Sequence, residues 1–212
     1  MMKNQYLRKR DKVILDRIIS EIKKIPGIIG IFQIGSSTYS KNYHDIDVLI
    51  FFESITHPKL KEIRKRYAKN KFWIEGVFVN AYKISRGVKV FIKFFNHLKT
   101  KKILYGKNPY QNEKMTLNKL DVASYIDWSY VLTEQYGLNY DNLLSVCLNA
   151  MLTYKNIFPE NKDETLRLFK KTYPNLAKYL PKNAEYYLRK TNEKNFKNLY
   201  PFFQKSIEFF MR

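Results

Sequence analysis

Apolar runs of strand length occur in only one half of this chain. IIGIFQIG (28–35), IDVLIFF (46–52) and WIEGVFVNAYKI (73–84) are rich in β-branched and aromatic residues, and ILYGKNPY (103–110) adds a short strand with a Gly-Lys-Asn-Pro turn. Beyond about Leu117 no strand pattern recurs. VASYIDWSYVLTEQY, NLLSVCLNAMLTYKNIF, DETLRLFKKTY and the segments AEYYLRK and FFQKSIEFFMR carry apolar residues at helical spacing, punctuated by Gly137, Pro159, Pro174, Pro181 and Pro201. The pattern predicts an α+β protein with domains at 1–115 and 116–212, the second all-α. Helices are also expected in the first domain, from Tyr6 to Lys24 and from about His57 to Ala68; VKVFIKFFNHLKTKK reads as a helix whose β-branched start leaves room for a strand.

The costliest feature of the first half is Asp45-Ile46-Asp47 at the mouth of VLIFF. In a strand, residues two apart share a face, so the two carboxylates point the same way, roughly 6–7 Å apart. Such a pair repels unless a cation lies between its members. Gly35-Ser36 ends the preceding strand and opens a turn whose backbone N–H groups and hydroxyl can hold phosphate oxygens. Glu75 lies near the start of the third strand and can face the same point. Three carboxylates on two neighbouring strands make an all-oxygen set of the kind magnesium or manganese prefers. Paired with a lysine, Glu75 is instead structural. Lys41, in the loop, is either a triphosphate contact or a solvated side chain. His44 is either a functional group beside Asp45 or a cap on the turn.

Charge and cysteine usage narrow the partners. The formal net charge is +20. Up to Asn112 there are 24 Lys and Arg against 8 Asp and Glu, a net +16, and from Glu113 onward the balance is +4. Such a field draws polyphosphates, nucleotides and nucleic acid. KLKEIRKRYAK and KTKK (99–102) either track a phosphate backbone or are ordinary solvated faces. The single cysteine, Cys147, sits in an apolar stretch and reads as core; it excludes an internal disulfide and fits a reducing compartment. No run reaches the length of a membrane span, and no signal-type segment follows the basic N-terminus, so a cytoplasmic location with no membrane partner is expected.

GSSTYSKNYHDIDVLIFF resembles the Gly-Ser…Asp-x-Asp signature of the DNA polymerase β-like nucleotidyltransferase superfamily, with eight residues between the two elements. IEGVFVNAYKI is similar to the third-carboxylate strand of streptomycin/spectinomycin-type adenylyltransferases, and LLSVCLNAMLTYKNIFPENKDETLRLFKKTYPNLAKYL to their helical segment. The resemblance implies a catalytic domain built on a mixed sheet flanked by helices, followed by a helical acceptor-binding bundle. It implies Asp45, Asp47 and Glu75 as catalytic metal ligands for Mg2+ or Mn2+, with Gly35, Ser36 and Lys41 on the nucleotide. The activity it implies is transfer of a nucleoside monophosphate from an NTP, ATP first, to a hydroxyl. The positive charge disfavours a cationic drug and favours RNA, tRNA-like first, as the acceptor. A small-molecule or protein adenylyltransferase, or a non-catalytic nucleic-acid-binding or toxin–antitoxin partner on the same fold, are the alternatives.

Overall fold

In the computed structural model, residues 6–53, 58–79, 86–136, 142–190 and 196–212 are described. The chain forms two compact units, Met1–Ala81 with Lys99–Asn112, and Tyr82–Leu98 with Glu113–Arg212.

The first unit holds a four-stranded mixed sheet. Helix α1 (Lys9–Ile22) is followed by β1 (Ile28–Ile34), a 3₁₀ turn at Ser36–Thr38, β2 (Ile46–Phe52), α2 (Pro58–Ala68), β3 (Phe72–Phe78) and, later, β4 (Lys102–Gly106). The strand order is β3-β2-β1-β4. β1 runs antiparallel to β2 and β4, whereas β2 and β3 are parallel, with α2 as the crossover between them. The apolar spacing of the helices explains their seat. Leu15, Ile18 and Ile22 of α1 and Leu60, Ile63 and Tyr67 of α2 are buried with Ile31, Val48, Ile50 and Ile74 in one core. Glu21 of α1 ties the two helices together. It accepts from Tyr67 Oη at 2.6 Å and pairs with Arg66 at 2.9 Å. On the other face Phe32, Leu49 and Phe51 are buried, and Phe51 meets Tyr110 edge-on at 5.4 Å. β2 is thus covered on both faces beyond Asp47.

The second unit is helical: α3 (Arg86–His97), α4 (Lys119–Tyr136), α5 (Leu143–Tyr154), α6 (Lys162–Thr172), α7 (Pro174–Ala177), α8 (Ala184–Lys190) and α9 (Tyr200–Met211). α5 is its axis, with Leu143, Leu144, Cys147, Leu148, Met151 and Leu152 all fully buried. Cys147 is core, and burial pushes its thiol pKa far up. Asn118 and Asp121 cap α4 reciprocally, each accepting the other's backbone N–H at 2.9 Å.

The division differs from one drawn at residue 115. α3 is helical throughout, and its Val90 is buried among the residues of α4 and α5. Lys89 approaches Asp121 at 4.0 Å and His97 stacks on Phe158 with ring centroids 4.0 Å apart. An amphipathic helix must cover its apolar face, and this one does so with helices that begin more than twenty residues further along the chain. β4 returns to the sheet instead. The positive charge is redistributed accordingly: the sheet unit has 20 Lys and Arg against 8 Asp and Glu, a net +12, and the helical unit is +8.

Candidate active site

The site is built at the end of the sheet where β1 stops and β2 and β3 start. Gly35 leaves β1 with φ +76°, a left-handed conformation that other residues adopt only at a cost. A Cβ there would come within 2.6 Å of Asp47 Oδ2. Glycine therefore serves twice, in turning the chain and in letting the Asp47 carboxylate lie against its backbone. The 3₁₀ turn that follows has its Thr38 N–H on Gly35 O at 3.1 Å, and the first N–H groups of such a turn have no partner inside it. A buried amide holds the turn from beneath. Gln33 donates through Nε2 to Ser37 O at 3.1 Å and to Ser37 Oγ at 3.0 Å.

Asp47 pairs across the ladder with Ile34 of β1 and with Trp73 of β3. Ile46 is buried in the core under the helices, whereas Asp45 and Asp47 on either side of it are half-buried. Asp45 itself precedes β2, which begins at Ile46. Among the described residues, the Asp45 carboxylate has no cation within ion-pair distance. The approach to Asp45 is fixed by Tyr43. Its hydroxyl donates to Asp11 at 2.6 Å and accepts from the Arg8 N–H at 3.0 Å, while the Arg8 guanidinium lies 4.6 Å from the ring centroid. Burial and the Asp11 hydrogen bond raise the Tyr43 pKa. Lys41 and His44 are exposed in the loop, and Lys41 makes no ion pair among the described residues.

Glu75 shares the Asp47 face but is in register with Leu49, one strand over and one side-chain step further up. The three carboxylates do not close on a single point. Among the described residues no group of three His, Cys, Asp or Glu side chains is placed to hold a metal ion. Glu75 keeps an exposed side chain, yet protein atoms crowding its carboxylate raise its pKa, and the charge of Arg64 draws it part of the way back. Arg64 is anchored by Nε to Ile74 O at 2.7 Å. Asn80 to Ser85, which include part of the expected third strand, lie outside the described residues.

Sequence reasoning missed three participants. Tyr43 and Gln33 support the loop and the turn, and the signal for each was its type: a tyrosine in a polar loop that also holds Tyr39, and one amide in an apolar strand. Trp73 lies opposite Asp47 and is 56% exposed, while Phe72 and Ile74 on either side of it are buried. Position 73 was legible as the partner of Asp47 only once the register was known.

No family model matches the chain, and no curated protein matches it. Among solved structures it is similar to spectinomycin adenyltransferase AAD(9) from Enterococcus faecialis, crystallised with ATP and spectinomycin. The TM-score is 0.58 at 15% identity, over 97% of this chain and all of the other. The α+β architecture implied by Gly35-Ser36 and Asp45-Ile46-Asp47, a mixed sheet followed by helices, is the fold this chain shares with a nucleotidyltransferase.

Proposed function

We propose that this protein transfers a nucleoside monophosphate from ATP to a hydroxyl of an RNA acceptor, tRNA-like first. The observation that carries the reading is the close approach of Gly35 and Asp47. It sets a turn against a carboxylate, and Asp45 stands two residues before Asp47, at the entry to the same strand. In the proposed reaction an acceptor oxygen bonds to the α-phosphorus. The bond from that phosphorus to the bridging oxygen breaks, and pyrophosphate leaves with the electron pair. Gly35, Ser36 and Lys41 hold the triphosphate. Asp45 and Asp47 offer the hard oxygen donors that Mg2+ or Mn2+ takes, and a divalent cation held there offsets their repulsion and the charge developing on pyrophosphate. Glu75 was expected as a third donor. Its position beside Leu49 and its raised pKa suit it better to accept the hydroxyl proton.

RNA is favoured by the charge, +20 in all and +12 on the unit that bears the carboxylates. A second reading, a small-molecule hydroxyl, is supported by the spectinomycin bound to the similar adenyltransferase. No helix among the described residues is long and apolar enough to cross a membrane, and the cytoplasm remains the expected site of action. To separate the acceptors, the protein is incubated with [α-³²P]ATP, magnesium, and either total cellular RNA or the low-molecular-weight fraction of a lysate. Nuclease-sensitive label in the RNA arm is expected. Label confined to the small-molecule arm overturns the RNA acceptor.

A further inference from the structure

We propose that a cavity at the head of β2 and β3 is a phosphate subsite, which takes a phosphodiester of the RNA acceptor beside Asp45. The inference rests on the RNA reading above and adds to it a place where the acceptor is held. The cavity is an open hollow of about 440 Å³, lined by three separate pieces of the sheet unit: the start of α1, residues 43–46, and the turn from α2 into β3. That is room for a nucleotide-sized group rather than a lone ion.

Its walls are cationic. Arg8, Arg10, Lys69 and Lys71 line it, against Asp11 and Asp45. Asp11 is already engaged, accepting from Tyr43 and pairing with Arg8 at 3.5 Å. Arg10, Lys69 and Lys71 have no acidic partner among the described residues. Three like charges gathered around one hollow repel, and an anion relieves them. They also come from positions some sixty residues apart, so folding assembles the cluster and no single basic run does.

Lys71 adds an independent sign. Its φ is +61°, a conformation natural to glycine, and it is fixed there by its carbonyl accepting Ile46 N–H at 2.9 Å. A left-handed residue in a turn such as this one, between α2 and β3, is usually Gly or Asn. Here a lysine accepts the strain and lines the cavity with its charge. Such an outlier beside a site points to a role for the side chain. Because Asp45 is also in the lining, a phosphodiester seated here lies next to the proposed transfer chemistry.

Lys71→Gly and the triple variant Arg10→Ala/Lys69→Ala/Lys71→Gly test this. Lys71→Gly removes the charge and the strain together, so its Tm is expected to equal or exceed that of the native chain. The binding of bulk tRNA and of ATP is then titrated at several salt concentrations. The triple variant is expected to bind tRNA at least about tenfold more weakly near 0.1 M salt. Its log–log salt slope should be shallower by about 0.7–0.9 for each phosphate that is no longer neutralised. The ATP-induced thermal shift should persist. Unchanged tRNA affinity and slope in the triple variant overturn the subsite while leaving the RNA reading in place. Failure of the native chain to bind tRNA overturns both. Loss of the ATP shift with tRNA binding intact overturns the subsite by assigning the cavity to the nucleotide.

Discussion

The two units spend their polar groups differently. In the helical unit several buried polar side chains close local bonds, although Thr153 Oγ1 has no hydrogen-bond partner among the described residues. Ser206 Oγ donates to Phe202 O, Thr133 Oγ1 to Ser129 O and Thr165 Oγ1 to Asn161 O, each at 2.8–2.9 Å, and Asp121 caps its own helix. In the sheet unit the half-buried carboxylates stand at the open end of strands. There Gly35 and Lys71 have positive φ, and Trp73 is left in solvent beside Asp47. Polar groups that complete a helix lower the energy of the fold. Carboxylates gathered at a strand end repel unless a counter-charge is near, which a ligand can supply.

The contrast can be broken first at its sharpest point. Asp47→Asn should reduce label transfer by at least about a hundredfold, the scale of removing one preorganised electrostatic group. Its Tm should hold or rise, since the repulsion with Asp45 is relieved. A melting curve and a transfer assay on the same preparation check both, and a loss of fold with activity would make Asp47 structural.

Gly35→Ala acts on the same point through the backbone. The left-handed φ and the 2.6 Å approach to Asp47 Oδ2 predict a loss of about 1–3 kcal/mol in denaturant unfolding, and loss of the ATP thermal shift. In the helical unit Asp121→Ala should cost about 1–2 kcal/mol through the lost cap, with the ATP shift kept. If the Asp121 variant lost its ATP response and the Gly35 variant kept it, the division of labour would be reversed.

The smallest effect is on pH. Crowding raises the Glu75 pKa in the folded chain, so folding favours its protonated form. The contribution of that group is fully present below its unfolded value, near 4.5, and is lost as pH rises through the raised folded value. Glu75→Gln should therefore melt higher than the native chain at pH 7 and no higher at pH 4. A lower Tm at pH 7 would show that the attraction of Arg64 outweighs the crowding.

How much of this the sequence carried depends on range. Asp45 and Asp47 stood out because carboxylates at the mouth of an apolar strand are visible in a short window, and Gly35 because it ends one strand and opens a turn. The face of Glu75 was legible because strand alternation is local, but its register was not. The α2 crossover sets which residue of β3 stands beside Asp47, and it put Trp73 there. α3 showed an apolar stripe that had to be covered without showing by what, and its union with α4 and α5 moved the unit boundary. The clamp of Arg8 on Tyr43 spans 35 residues of sequence, and the cavity beside it draws on three segments. Neither leaves a trace in any short window.

The central claim is that the end of the sheet bearing Gly35, Asp45 and Asp47 moves the nucleotide and releases pyrophosphate. Parallel reactions with [α-³²P]ATP and [γ-³²P]ATP, magnesium and cellular RNA test it most directly. The α label should appear on the acceptor and the γ label in pyrophosphate, in equal amounts, with neither seen in Asp45→Asn. Label from the γ position on the acceptor, or equal turnover by Asp45→Asn, would contradict it.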